Sequence, residues 1–221
     1  EYRLMVTDQK GKTQPTEIRL NNPSFYHGPW WSPDSKKLVF YDKHLTLYYV
    51  SLDDQKPQKI DRDLYANPRP KFTPDWSPDS RWITYTRRLD NQLNAVFVFN
   101  VETGEKEQIT DGMSEATYPT FDRQGEHLFF AASTDFGPNA SWLDMTSYPH
   151  RVTSSLYAVV LEKGKESPFA PESDEEIPDN KQTEEPDKDQ QNEQEKEDKG
   201  IAVDIDFDNI DQRIVSLPVP P

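Results

Sequence analysis

Five residues, Trp31-Ser32-Pro33-Asp34-Ser35, return as Trp76-Ser77-Pro78-Asp79-Ser80 after a step of 45 residues, and a worn third copy, Phe121-Asp122-Arg123-Gln124-Gly125, follows after the same step. The apolar runs behind each copy keep the register: Leu38-Val39-Phe40-Tyr41, Ile83-Thr84-Tyr85-Thr86 and Leu128-Phe129-Phe130-Ala131. Self-similarity at a period of about 40–50 residues is the signature of a propeller or a related repeat array. One such pentapeptide could arise by chance. Three in register with their apolar runs point to an all-β fold, a β-propeller with four-stranded blades, whose ring is incomplete in this chain.

Each unit reads as four strands. Phe25 to Trp31 forms the first and Ser32-Pro33-Asp34-Ser35 a tight turn, with Ser opening it and Pro at the second position fixing φ near −65°. Lys37–Tyr41, Leu45–Leu52 and Gln58-Lys59-Ile60 are expected to follow as the other three. The second unit runs from Lys71 to Asp111, and its third strand, Ala95 to Val101, is apolar enough for burial on both faces. Ile60 and Ile109 lie 49 residues apart rather than 45, so about four residues have entered around Arg87–Gln92. Residues 24–171 are thus expected to hold three blades, and 1–23 the end of a truncated one. The chain starts at Glu1, already in a strand-like run, and reads as a piece of something longer.

The third unit carries a larger excursion. Ser133 to Thr153 separates its second and third strands and holds Phe136, Trp142 and Tyr148. A long loop with its own aromatic side chains reads as a packed feature, either capping a neighbouring blade or touching another domain.

Composition breaks after Pro171. The chain carries a net charge of −15, and Glu172 to Lys199 holds 13 acidic residues against 4 lysines, so most of the acidity belongs to one tract. That tract has a single apolar residue, Ile177, and reads as an acidic disordered linker over 172–200. From Ile201 the alternation of Val203, Ile205 and Phe207 with Asp204, Asp206 and Asp208 suggests a half-buried strand, and Arg213–Leu217 another. Residues 201–221 are therefore expected to open a following domain.

The function classes narrow by elimination. No basic stripe is visible, which weighs against nucleic acid. No apolar run approaches the roughly 18 residues of a membrane span. With no cysteine there is no disulfide, thiolate site or cysteine nucleophile. Asp204-Ile205-Asp206-Phe207-Asp208 resembles the start of a calcium loop, but Asn209 and Val215 stand where Gly and a bidentate Glu are required. Gly112-Met113-Ser114 opens like a nucleophile elbow, yet Ala116 replaces the second Gly. The four histidines, His27, His44, His127 and His150, lack metal spacing and read as turn or surface residues. Asn139-Ala140-Ser141 fits the short glycosylation pattern. No catalytic, cofactor-binding or metal-ligating residue is assigned.

The Trp-Ser-Pro-Asp turn followed by an apolar strand resembles the propeller repeat shared by tricorn peptidases, TolB-like proteins and the propellers of prolyl-oligopeptidase relatives. Several stretches resemble the tricorn type in particular: Ile109-Thr110-Asp111-Gly112-Met113-Ser114, Ala131-Ala132-Ser133-Thr134-Asp135-Phe136-Gly137, Ser167-Pro168-Phe169-Ala170-Pro171, and Asp206-Phe207-Asp208-Asn209-Ile210 with Leu217-Pro218-Val219-Pro220. The resemblance implies a large serine peptidase with two successive propellers and a distant catalytic core. This chain would span the end of the first propeller and the start of the second. It would be a non-catalytic channel, filter and scaffold, acting on peptide substrates through the parent enzyme. Intramolecular contacts with the second propeller and the core, a homo-oligomeric parent and a cytoplasmic location are also implied, with an exported form as the alternative. The competing readings are a TolB-like binding scaffold without enzyme activity and the propeller of a prolyl-oligopeptidase-type hydrolase. Three blades with open edges should also make the isolated chain prone to association.

Overall fold

The computed structural model of the chain describes residues 3–20, 24–64, 72–135, 153–165, 167, 169 and 201–220. Three four-stranded antiparallel sheets follow one another, preceded by a two-stranded one. That first pair is β1 (Leu4–Val6) and β2 (Thr16–Ile18). Blade one consists of β3 (Tyr26–Trp31), β4 (Lys37–Asp42), β5 (Thr46–Ser51) and β6 (Gln58–Arg62). Blade two consists of β7 (Asp75–Trp76), β8 (Trp82–Arg88), β9 (Asn94–Asn100) and β10 (Lys106–Gln108). In blade three, β11 (Glu115–Phe121), β12 (His127–Ser133) and β13 (Ser155–Val160) are joined by β14 (Ile214–Ser216). Apart from a short 3₁₀ turn at Ile210–Arg213, the described residues form strands and their connections.

The expected all-β propeller fold is present, and strand alternation explains how it is held together. Successive side chains on a strand face opposite ways. On β4, Leu38 and Phe40 pack with Ile18 of β2, while Val39 and Tyr41 pack with Ile83, Tyr85 and Phe97 of blade two. On β9, Ala95, Phe97 and Phe99 face blade one, and Val96 and Val98 face Leu128, Phe130 and Val159 of blade three. The run Ala95–Phe99 is buried throughout, as its apolar sequence leads one to expect. The core therefore lies between the blades rather than within any of them. Burying an aromatic or large aliphatic side chain there is worth about 1.5–3 kcal/mol.

The first strands of the blades, β3, β7 and β11, are sheet edges. Each carries or adjoins a proline at the repeat step, Pro29, Pro74 or Pro119. Proline has no N–H, and an edge strand is where that deficit breaks no ladder bond. At Pro29 and Pro119 the pairing shifts register, between His27 and Trp30 and between Thr117 and Thr120.

The four residues added to blade two lengthen its β8–β9 hairpin. Counted against blade one, β8 and β9 each gain one residue and the turn between them gains two. The hairpin closes on Leu89 and Leu93 through a 2.8 Å backbone hydrogen bond, with Gln92 in the left-handed region. Arg88, paired with Asn94, is thus held on a strand and not in a free loop.

One expectation is corrected. Residues 201–220 do not open a separate domain: Ile214, Val215 and Ser216 pair with Val159, Ala158 and Tyr157 and complete the third blade. Val203 and Ile210 are buried in the cluster shared by blades two and three. The physical reason is a simple deficit. β13 would otherwise be an unpaired edge, and β14 supplies its missing partner. In the expected strand over 203–207, Val203 is buried and Asp204 exposed, but Ile205, Asp206 and Phe207 are all half-buried and no strand pairing is formed there. The loop core 136–152 and the acidic tract 172–200 lie outside the described residues.

Candidate functional site

Two places in the fold concentrate polar chemistry, at opposite ends of the blades. The first is formed by the repeated turns. In the first copy, Ser35 N–H donates to Ser32 O at 2.9 Å, and the chain leaves the turn with Ser35 at φ 58°. Ser32 Oγ accepts from Lys37 N–H at 2.9 Å, and Asp34 accepts from Lys36 N–H at 2.9 Å and from Lys37 Nζ at 3.0 Å. Burial opposes ionisation of Asp34, but the Ser32 hydroxyl, the Lys36 amide and the Lys37 ammonium together hold its carboxyl below the ordinary value. The second copy repeats this: Ser77 Oγ accepts from Trp82 N–H at 2.8 Å, and Asp79 accepts from Arg81 N–H at 3.1 Å. In the third, Asp122 does both jobs, accepting from Glu126 N–H at 2.8 Å and meeting His127 Nδ1 at 3.1 Å.

These turns also join blades. Asp34 N–H donates to Ser80 Oγ at 3.0 Å, and Lys37 Nζ donates to Ser80 O at 3.2 Å. Trp76 Nε1 reaches Trp30 O at 3.3 Å. Asp75 accepts from Thr120 Oγ1 at 2.7 Å and from Phe121 N–H at 3.0 Å, tying β7 to β11. The second turn additionally clamps the segment that follows the acidic tract. Asp79 accepts from Val203 N–H at 2.8 Å, while Arg81 and Trp82 Nε1 both donate to Val203 O at 3.1 Å. Gly125 completes this joint. Its φ is 74°, and a Cβ there would lie 2.4 Å from Val203 Cγ2.

The second place is a cleft of about 720 Å³ between blades one and two, at the far end of β8 from the turns. Lys59, Asp61, Arg62 and Leu64 line it from blade one, and Arg87, Arg88, Leu89, Asp90 and Asn91 from the lengthened hairpin of blade two. Asp61 is its buried centre. It meets Arg87 at 3.3 Å and Lys106 at 3.0 Å, and accepts the Tyr85 hydroxyl at 2.9 Å. Burial, reinforced by the Asp61 charge, pushes the Tyr85 phenol far above its ordinary value, so it stays a donor at any physiological pH. Arg87 also lies over the Phe97 ring, 4.6 Å from its centroid.

Among the described residues, those singled out in the sequence do not converge into a catalytic centre. Asp204, Asp206 and Asp208 are engaged separately: Asp204 faces Arg81 at 3.6 Å, the Asp206 carboxylate accepts from Asp208 N–H at 2.9 Å, and Asp208 pairs with Lys163 at 3.2 Å. Gly112-Met113-Ser114 is a turn. Gly112 has φ 77°, sits against Leu89, and accepts a 2.8 Å bond from Asn91 Nδ2. His27 stacks on Tyr41, His44 is exposed and His127 meets Asp122, whereas His150 and Asn139-Ala140-Ser141 lie outside the described residues. Among the described residues no group of three or more His, Asp or Glu could hold a metal ion. Of the described helices, none is long and apolar enough to cross a membrane. Sequence reasoning missed the cleft and the Val203 clamp. Adjacent Arg87 and Arg88 beside an insertion were the one local signal of the former.

Four-stranded antiparallel blades with conserved spacing, packed face to face and joined by Trp-Ser-Pro-Asp turns, define a β-propeller unit. The family model for the tricorn protease second beta propeller domain matches residues 1–221. The chain belongs to that family. The matched model places all of it in a second propeller, where the sequence reading had divided it between the end of a first and the start of a second. A protein of Sulfurisphaera tokodaii named as a Tricorn-like protease C-terminal subunit is 27% identical over 150 residues, covering 68% of this chain and 17% of the relative. The Tol-Pal system protein TolB of Alcanivorax borkumensis is 32% identical over 98 residues, covering 40% of this chain and 20% of the relative. A crystal structure of the tricorn protease superposes with a TM-score of 0.64 at 18% identity, over 94% of this chain and 18% of that one. The chain thus spans about a fifth or less of the length of each of these three proteins.

Proposed function

We propose that these blades are a non-catalytic propeller wall of a tricorn-like serine peptidase. In this reading they scaffold a catalytic core elsewhere in the protein and restrict access to chains that can thread a ring. The observation that carries the proposal is the succession of edge strands β3, β7 and β11, tied side by side by Trp76–Trp30 and Asp75–Phe121 contacts, in a chain that belongs to the tricorn family. A ring of blades leaves a central pore that an unfolded peptide can enter and a folded protein cannot. Catalytic residues lie outside this chain, and the parent works in the cytoplasm as a homo-oligomer. The TolB-like scaffold reading is less well supported, because that relative matches 40% of the chain and the tricorn model all of it.

The test compares the parent protein with a variant lacking this propeller, on a short unfolded peptide and on a stably folded protein of similar cleavage sequence. Loss of the propeller should release cleavage of the folded protein while retaining cleavage of the peptide. Turnover of the peptide by residues 1–221 alone, or unchanged discrimination without them, would overturn the proposal.

A further inference from the structure

Residues 201–217 are gripped by blades two and three as a ligand is gripped by a receptor. Val203 gives its N–H to Asp79 at 2.8 Å and receives Arg81 and Trp82 Nε1 on its oxygen. Its side chain is fully buried over Gly125, and the Phe207 ring meets the Trp82 ring at a centroid distance of 5.9 Å. Asp206 N–H reaches Leu161 O at 3.0 Å. From Ile214 the segment adds to the edge of β13, and it ends on a 2.8 Å bond from Leu217 N–H to Leu156 O. This is strand addition to a sheet edge, in which backbone hydrogen bonds supply affinity and alternate side chains supply specificity.

The connection to that fourth strand sets blade three apart. In blades one and two the fourth strand begins within seven residues of the end of the third. So short a link holds the strand at a local concentration that no second molecule can match. Local concentration falls as a tether lengthens, and like charges along it extend it further. Phe169 and Ile201 are 32 residues apart, and Glu172–Lys199 between them holds 13 acidic residues against 4 lysines. At full extension a tether of that length spans up to about 100 Å, several times the roughly 20 Å of a blade strand. It is long enough to reach the same seat on a neighbouring molecule.

We propose that a second copy of this chain is a partner, and that two copies exchange residues 201–217, each completing the other's third blade. The contacts are the same in the exchanged and the self-closed forms. The choice between them is therefore set by the protein concentration against the local concentration that the tether maintains. Exchange is reciprocal, because an emptied seat leaves Gly125, the Trp82 ring and the edge of β13 uncovered. Each copy gives and receives the same segment, so the pair is closed and two-fold. The inference rests on the blades and their connection, and it is independent of the peptidase reading.

The test uses the absence of cysteine from the sequence. Tyr157 and Ser216 stand opposite each other on β13 and β14, next to the hydrogen-bonded pair Leu156 and Leu217. They form a close pair of the kind a disulfide can bridge. Full chains carrying only Tyr157→Cys and only Ser216→Cys are mixed at concentrations up to about 1 mM, where a second molecule rivals a tether, and oxidised mildly. A disulfide-linked dimer should form in the mixture, increase with concentration, and be absent from either variant alone. Excess synthetic peptide 201–221 should suppress it. The same peptide with Val203→Asp should compete at least about tenfold less well, because it brings a charge into the hollow over Gly125. A chain with both substitutions should cross-link within itself when dilute. Internal cross-linking with none in the mixture would overturn the exchange, and equal competition by the two peptides would overturn the use of this seat. Failure of the internal cross-link would remove the β13–β14 pairing and the proposal with it.

Discussion

Trp31 and Trp76 hold the same place in the same five-residue turn, yet Trp31 is 48% exposed and Trp76 only 5%. Their own blades treat them alike. What differs is the neighbour: Trp76 has blade one beside it and reaches Trp30 O, whereas before Trp31 the described residues form the two-stranded sheet β1–β2, which packs on Leu38, Phe40 and Val50. The tryptophan of the motif is therefore an element of the joint between blades, and its burial reports whether a preceding blade is in place. The joints themselves also differ. Between the first and second turns Ser80 Oγ takes Asp34 N–H, while at the third turn Gly125 has no such oxygen, and Val203 occupies the space and is clamped by Asp79.

The strongest way to break this comparison is to truncate both tryptophans. Trp76→Ala should cost about 3–5 kcal/mol, the usual range for emptying a large buried aromatic site, and Trp31→Ala under about 1 kcal/mol. Urea midpoints of the two variants measure the difference, and equal losses would show that the tryptophan serves its own blade. A sharper probe of the second joint is Gly125→Ser, which restores the residue of the other two copies. The new Cβ would overlap Val203 Cγ2, so this return to the motif should destabilise by about 1–3 kcal/mol, the cost of overpacking, instead of stabilising.

The smallest effect concerns the first turn's acid. Because the Asp34 carboxyl titrates below its ordinary value, its contribution is full above the carboxylate range and fades as the pH falls through its own lowered value. Asp34→Asn should thus lower the urea midpoint at pH 7, by less than about 1 kcal/mol for a part-exposed pair, with the gap from the unmodified chain closing below about pH 4. A gap that persists below that lowered value, where the carboxyl is protonated in the folded chain as well, would assign the loss to geometry and not to charge.

Much of this architecture is legible in the sequence because it repeats. The step from Trp31 to Trp76 to Phe121 locates the blades, and the shift from Ile60 to Ile109 locates the inserted residues, since both depend on local strand and turn chemistry. How those residues are divided between strand and turn is settled by pairing, as with Arg88 and Asn94, which no local signal encodes. The fate of residues 201–220 was hidden for a similar reason. Val203 meets Asp79 across 124 residues of sequence, and the acidic tract makes the return look like a new beginning. A count of strands carried the missing hint, because the third unit shows only three before the tract while its neighbours show four. The cleft was invisible for want of any sequence link between Arg62 and Arg88, which only the packing of two blades brings together.

The delayed arrival of β14 bears on the order in which the molecule assembles. β5 and β6 are joined by a few residues, as are β9 and β10, so the first two blades can zip up from neighbouring hairpins as soon as their strands exist. β13 must wait for a partner that comes more than fifty residues later, and closing so wide a chain loop carries an entropic cost before its contacts repay it. Blade three is accordingly the last to complete, and β13 is the edge through which a half-made chain would be captured by another copy of itself.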